Sequence, residues 1–307
     1  MANGILQGFD LTRLNGVEHK RRILLWLAMV TAVIVVLCIE ALVPEIDFCS
    51  RLGGSLGPIR ILSIFLMALV CEYIDSSLGM GYGTTLTPLL LLVGFEPLQI
   101  VPAVLLSEFV TGFSAGLLHQ RDGNVDFKSD KTARHTALLL IALSAFGTLL
   151  AVFVAIRIAK FWLTLFIACI ILSVGVMILA TTRRQLRYRR GHIVALGALA
   201  AFNKGLSGGG YGPLVTGGQI VSGLNPKHAI AITSLAEGFT CLIGFTAYII
   251  TTGTLDWSLA VPLTLGAMFS VPMATLTVRK FPEAFIRGSV GVLTCLLGLL
   301  TFVKLFT

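Results

Sequence analysis

The sequence predicts an all-α polytopic membrane protein: two inverted repeats, each a re-entrant, glycine-broken helical hairpin followed by three transmembrane helices, with one extra transmembrane helix in front. Three observations lead there. Of the 307 residues, 56% are hydrophobic and only 12% are charged, with a mean hydropathy of +0.91, whereas a surface facing water carries about twice that charged share. The apolar residues gather in runs of about 20 residues or more, the length that crosses a bilayer core. Finally, the chain matches itself at an offset of 129 positions, as a duplicated unit would.

The composition excludes an ordinary cytosolic enzyme and a disordered chain. A net charge of +8 and a pI near 9.4 raise the question of nucleic acid. The Lys and Arg sit between apolar runs rather than interleaved with exposed aromatics, so they report membrane orientation and no nucleic-acid partner is expected. Six cysteines (38, 49, 71, 169, 241 and 295) show no C-x-x-C or metal spacing, and all but Cys49 lie in apolar stretches. They read as small buried hydrophobes, and neither a metal nor a cofactor is expected.

Residues 1–59 read as a cytoplasmic tail, a first transmembrane helix at about 23–43 and an outer loop. That helix follows His19-Lys20-Arg21-Arg22, is too long for a signal-peptide core and lacks a cleavage site, so it is retained. Repeat 1 spans 60–182, with apolar runs at 60–94, 98–119, 134–157 and 161–181. A basic cytoplasmic linker, 183–190, precedes repeat 2 at 191–307, with runs at 192–222, 227–251, 257–277 and 283–306. The offset lays Gly79, Gly81-Tyr82-Gly83, Thr87, Gly94, Pro97, Glu108 and Thr111 onto Gly208, Gly210-Tyr211-Gly212, Thr216, Gly223, Pro226, Glu237 and Thr240. One inserted residue later, Gly123 and Asp126 meet Gly253 and Asp256.

Each first run is broken midway by glycines, which cost helix stability and bare backbone that lipid cannot satisfy. The break must lie inside protein or line a wet cavity. Charge selects hairpins over crossings. With a cytoplasmic N-terminus, hairpins place Arg121, Lys128, Lys131, Arg134, the linker arginines, Lys227, Arg279 and Lys280 inside. Crossings would send the linker cluster outside, against the positive-inside tendency. Seven full crossings, two hairpins and an outer C-terminus follow.

Inverted repeats with interrupted helices place a transporter's substrate near the midplane. The second arm of each hairpin is expected to start at Thr84-Thr85 and at Pro213, a capping residue and a first-turn proline respectively. Two helix N-termini would then face one space, a place for an anion. The expected substrate contacts are Gly79, Gly81, Tyr82, Gly83, Thr84, Thr85, Asn203, Lys204, Ser207, Gly208, Gly209, Gly210, Tyr211 and Gly212. Ionisable residues inside apolar runs are costly and mark function. Glu72, Asp75, Glu108 and Glu237 are the candidates for proton coupling or gating. Lys204 is the counterpart of Asp75, and it reads either as a partner of Asp75 in an interior salt bridge or as a cation for the substrate. Glu108 and Glu237 either hydrogen-bond the glycine turns or carry a proton. His119, His135, His192 and His228 read as interfacial residues.

Two weaker motifs point elsewhere. Gly205-Leu206-Ser207-Gly208 matches the G-x-S-G of intramembrane hydrolases, but Leu78 replaces the serine in repeat 1 and no histidine stands at that depth. Gly81-Tyr82-Gly83 echoes a potassium-channel filter without the preceding Thr-Val.

Taken together, Glu72-Tyr73-Ile74-Asp75 through Gly79-Met80-Gly81-Tyr82-Gly83, then Glu108 with Thr111-Gly112, and in the second half Phe202-Asn203-Lys204 through Gly208-Gly209-Gly210-Tyr211-Gly212-Pro213 with Glu237, resemble the TauE/SafE sulfite and organosulfonate exporter family. The resemblance covers about 60–305. It implies an inner-membrane carrier of small sulfur-containing anions, linked to the proton gradient, with the glycine turns as substrate region. Lys204 departs from the acid that related members often carry there. The expected function is therefore a secondary anion transporter, preferably an exporter, working by alternating access. An uptake permease and a cation channel on the G-Y-G turns stay open as alternatives. The expected partners are the anion, the bilayer and protons, with a second copy of the chain left open.

Overall fold

The computed structural model describes residues 58–79, 81–181, 190–221, 224–277 and 283–306, and among them the chain is all helix. The ten helices are α1 (Pro58–Leu78), α2 (Tyr82–Leu92), α3 (Pro97–Arg121), α4 (Lys131–Ala155), α5 (Lys160–Thr181), α6 (Arg190–Ser207), α7 (Tyr211–Val221), α8 (Pro226–Thr252), α9 (Trp257–Thr277) and α10 (Glu283–Lys304). The expected tail, first helix and all but the last residue of the basic linker lie outside the described residues, as do Cys38, Cys49, Arg279 and Lys280.

Local signals set the helix starts. Pro97 opens α3, where Gln99 Oε1 accepts the Glu96 N–H at 3.0 Å. Asp130 caps α4 by accepting from Thr132 and Ala133 at 2.9 and 3.0 Å, and Asn225 caps α8 through the Lys227 N–H at 3.0 Å. The aligned Gly123 and Gly253 both take φ 68, and Asp126 and Asp256 each accept backbone N–H groups just beyond. The Ser129 hydroxyl, contributing most, and two such backbone bonds hold the exposed Asp126 carboxyl below its ordinary pKa.

Helices α1, α3, α4, α5, α8 and α9 are long and apolar enough to cross a membrane. The first arm of the expected re-entrant hairpin, α1, is thus by itself long enough to cross, with 21 residues against the 11 of α2. The hairpin nevertheless closes on itself, because Arg60 at the start of α1 stacks over the Phe95 ring beyond α2 at 4.6 Å. At that same end Lys160 pairs with Glu96 at 2.7 Å, and Lys304 Nζ donates to the Leu92 carbonyl at 2.6 Å. The opposite end joins His228 to Asp130 at 3.5 Å and Asn124 to the Thr275 carbonyl at 3.3 Å.

The most extensive packing pairs α1 with α9, α3 with α8, α4 with α6 and α5 with α10, followed by α3 with α9 and α4 with α8. Exchanging each helix for its partner at the 129-residue offset turns this set into itself. The outer surface carries Phe146, Ile250 and Phe269, all well exposed, while Glu72, Asp75, Glu108, Lys204 and Glu237 are buried. Polar groups inside and apolar groups outside is the arrangement a lipid solvent imposes. For the same reason the buried-cysteine expectation holds at Cys71 and Cys241 but fails at Cys169, which is exposed. When the solvent is itself apolar, hydrophobicity no longer separates core from surface.

Candidate functional site

The two glycine turns share one backbone design. After α1, Gly79 takes φ 68 and Gly81 takes φ 134; after α6, Gly208 takes φ 72 and Gly210 takes φ 80. These left-handed residues reverse the chain within a few positions, so α2 and α7 begin at Tyr82 and Tyr211. The expected starts at Thr84-Thr85 and Pro213 are thus corrected. Gly81 is the cap of α2, and Thr84 and Thr85 lie buried in its first turns without a capping bond. Each tyrosine anchors its turn from below: Tyr82 Oη lies 2.8 Å from Ser107 Oγ, and Tyr211 Oη lies 3.3 Å from Ser144 Oγ. Because both tyrosines are helical, the G-Y-G triplets do not present an extended row of carbonyls.

The two turns meet tip to tip. A Cβ on Gly83 would overlap the Gly208 carbonyl, and one on Gly209 would sit 2.6 Å from the Gly83 carbonyl carbon. Thr87 Oγ1 donates to the Ser207 carbonyl at 3.0 Å, and its counterpart Thr216 donates to the Gly79 carbonyl at 2.7 Å. Sequence reasoning passed over this threonine pair, although both stood in the internal alignment as matched polar residues.

At the centre lies Lys204, 1% exposed, held between two glutamates. Its Nζ donates to Glu237 Oε1 at 2.6 Å and pairs with Glu108 Oε2. Glu108 Oε1 also accepts the Gly83 N–H at 3.2 Å, and Asp75 Oδ1 accepts the Tyr82 N–H at 3.3 Å. Two carboxylates of the chain itself therefore occupy the positive end of α2. The interior Asp75–Lys204 bridge is corrected: Lys204 takes the two glutamates instead. They sit on α3 and α8, which pack against each other and so bring both carboxyls to the end of α6. Both glutamates pair with Lys204, and of the two only Glu108 also bonds a glycine turn, one of the two readings open for this pair.

The second turn is different. Ser207 Oγ donates to the Asn203 carbonyl at 2.8 Å and accepts the Gly209 N–H at 3.1 Å, bonds of a turn rather than of a nucleophile. Asn203 Nδ2 lies 3.8 Å from where a Cβ of Gly210 would stand. Among the described residues, no side chain accepts from the N–H groups of Gly210, Tyr211 or Gly212. Glu72 completes the cluster on α1: Oε1 accepts the Ser76 hydroxyl at 2.6 Å, while Oε2 is buried without a partner. His119, expected at an interface, is 0% exposed. Met80 lies outside the described residues.

The family model described as "Sulfite exporter TauE/SafE" matches residues 64–301. The chain belongs to this family. A relative from Bacillus subtilis (strain 168), "Probable membrane transporter protein YtnM", is 28% identical over 244 residues, covering 76% of this chain and 79% of its own. No solved structure matches. This TauE/SafE protein is a multi-pass membrane protein of a transporter family and not an enzyme.

Proposed function

We propose that this TauE/SafE member is a secondary transporter that exports small sulfur-containing anions, such as sulfite or organosulfonates, by alternating access coupled to protons across the cell (inner) membrane. One observation carries the reading: Lys204 is clasped by Glu108 and Glu237 while Glu108 also fills the N-terminus of α2. A carboxylate standing where an anion belongs acts as an internal surrogate. A substrate reaching Lys204 competes with it, and a carboxylate released into a buried site must take up a proton. Four buried carboxyl groups face one ammonium, so protons make up the difference in charge.

The substrate cradle in this reading is the second turn: the N–H groups of Gly210, Tyr211 and Gly212, the Asn203 amide and Lys204, with the Gly79–Gly83 turn opposite. The halves are read as inverted repeats. The 58–95 hairpin opens at the end that carries Lys160 and Lys304, and Lys128, Lys131, Arg134 and Lys227 gather at the other, which the positive-inside tendency makes cytoplasmic. The helical tyrosines argue against the channel alternative, which needs a carbonyl-lined filter.

The test is uptake into proteoliposomes of sulfite, sulfate, thiosulfate, sulfoacetate and taurine, with and without a pH gradient. Saturable movement of at least one sulfur oxyanion, accelerated by the gradient, is expected. Unsaturable ionic currents, or no response to any of the five, would overturn the reading.

A further inference from the structure

Helices α3 and α4 follow one another in the chain, yet each packs on α8 and hardly on the other. The wedge between them is a groove of about 310 Å3, the size at which small-ligand pockets begin. Its floor is Leu235 and Phe239 of α8. Gly116 lets α3 close on that floor, since a Cβ there would sit 2.9 Å from the Leu235 Cβ. The rims are Leu117 and Leu138, both more than half exposed, so the groove opens sideways from two helices long enough to cross a membrane. On α4 the lining residues Arg134, Ala137, Leu138 and Ile141 repeat at i, i+3, i+4 and i+7, one helical face about 10 Å long. Polarity is graded along it. Arg134 stands at the loop end, as does Gln120 near the end of α3, and every other lining side chain is apolar.

The acids at this end of the molecule are engaged elsewhere. Asp126 accepts the N–H groups of Lys128 and Ser129 and the Ser129 hydroxyl, while Asp130 caps α4 and meets His228 at 3.5 Å. Arg134 Nη1 donates to the Lys128 carbonyl at 3.4 Å and, among the described residues, pairs with no carboxylate. A guanidinium carries five N–H donors, so most of its capacity is left for a ligand. The second half of the molecule supplies an internal control. At the 129-residue offset Gly116 and Leu117 become Phe245 and Thr246, and past the inserted residue Arg134 becomes Thr264. The Thr264 hydroxyl is spent on the Ala260 carbonyl at 2.8 Å. A benzyl side chain thus stands where the first half has none, and the cation is gone. The duplicated architecture therefore requires neither the glycine nor the arginine.

We propose that the groove between α3 and α4 binds one anionic phospholipid of the adjoining leaflet, with an acyl chain along Ile141, Leu235 and Phe239 and the phosphate at Arg134 and Gln120. Two observations select this occupant. Spread over about 10 Å, the volume leaves a section of about 30 Å2. An extended hydrocarbon chain fits that section, whereas a helix of a second copy is about 10–12 Å across with its side chains. The charge, moreover, sits only at the loop end, where a lipid carries its phosphate. The planar guanidinium can take two phosphate oxygens at once, and basic pockets between membrane helices suit anionic head groups. Hydrocarbon in the groove supplies contacts that its lining otherwise lacks on one side. Helices α3 and α8 also carry Glu108 and Glu237, so a lipid wedged there braces the two helices that clasp Lys204. The proposal needs a multi-pass membrane protein and is independent of what that protein carries.

The experiment titrates the full-length protein in detergent with dioleoyl phosphatidylglycerol, with dioleoyl phosphatidylcholine and glycerol phosphate as comparisons. Native mass spectrometry counts bound lipid, and thermal melting reports its effect. One phosphatidylglycerol per chain should bind saturably and raise the melting temperature by several degrees. Phosphatidylcholine should bind about tenfold more weakly or worse, and glycerol phosphate should do nothing. Arg134→Gln should weaken phosphatidylglycerol by about tenfold and abolish its advantage over phosphatidylcholine. Arg134→Thr, the second half's residue, is a second variant with the same expected result. Leu117→Trp, which fills the groove from its exposed rim, should weaken both lipids. Lys131→Gln removes an exposed cation outside the groove and should stay within about twofold of wild type. Equal affinity for the two lipids, or equal losses from Arg134→Gln and Lys131→Gln, would overturn the proposal by reducing it to a general attraction to a basic surface. Glycerol phosphate binding as tightly as the lipid would make this a free-phosphate site and overturn it as well. A dimer that Leu117→Trp dissociates, with no lipid bound to wild type, would give the groove to a second copy instead.

Discussion

The two hairpins differ in charge while agreeing in backbone. Gly79 and Gly208, Gly81 and Gly210, and Tyr82 and Tyr211 occupy the same positions, with a positive φ at all four glycines and a helix starting at each tyrosine. Around the first turn stand Glu72, Asp75 and His119, and the N-terminus of α2 is filled by carboxylates. Around the second stand Ala201, Lys204 and Tyr248, and the start of α7 takes no side-chain acceptor from the described residues. Glycine turns set where backbone N–H groups point; side chains then decide whether those groups are already satisfied. A duplicated fold can therefore divide labour, with buried acids beside the turn of one half and a buried ammonium beside the turn of the other.

The largest break in that division comes from Lys204→Ala. It removes the one ammonium between two buried carboxyls, and losing one partner of a buried pair costs about 3–5 kcal/mol. Thermal melting in detergent should fall accordingly, and anion binding measured by calorimetry should weaken. The loss of stability should shrink at acid pH, since a protonated carboxyl no longer needs the cation. Unaltered anion affinity in the variant would assign Lys204 to structure alone. Asp75→Asn, its counterpart, should cost much less, because the amide oxygen still accepts the Tyr82 N–H.

Gly83→Ala ranks next. The added Cβ would collide with the Gly208 carbonyl, a backbone atom that cannot swing away. A cost of about 3 kcal/mol, at the upper end for overpacking, is expected together with lost transport. Gly253→Ala is the comparison. Nothing lies within 4 Å of that Cβ, so only the φ of 68° resists it, at about 1–2 kcal/mol. Melting curves that fail to separate the two would mean the hairpin tips are not in contact.

Much of this site was legible in the sequence because duplication writes each signal twice. Glu108 and Glu237, or the paired G-Y-G triplets, stand out against apolar background since two copies agree where chance would not. Pairing was illegible. Lys204 had acids within reach on three helices, and which one it met depended on α3 lying against α8, a tertiary contact with no local trace. The start of α2 was misplaced because Thr is a common cap, while a left-handed Gly81 made the cap unnecessary. His119 looked interfacial from its place near a helix end. Its burial comes from α1 and α9 covering that end, which periodicity along α3 does not reveal.

The smallest effect tests whether the halves are mechanically equivalent. Thr87→Val and Thr216→Val each keep the side-chain volume and remove one hydrogen bond to a carbonyl of the opposing turn, at about 1 kcal/mol apiece. Equal costs within a few tenths are expected, since the bonds are 3.0 and 2.7 Å long and equally buried. The double variant decides between two pictures. Were the turns independent supports, the costs would add. Both bonds, however, hold the same contact between tips, so once one is gone the tips part slightly and the other is already weakened. The double variant should then lose less than the sum in a melting experiment. Strict additivity would show that the contact of Gly83 with Gly208 and Gly209 holds the hairpins together without the threonines.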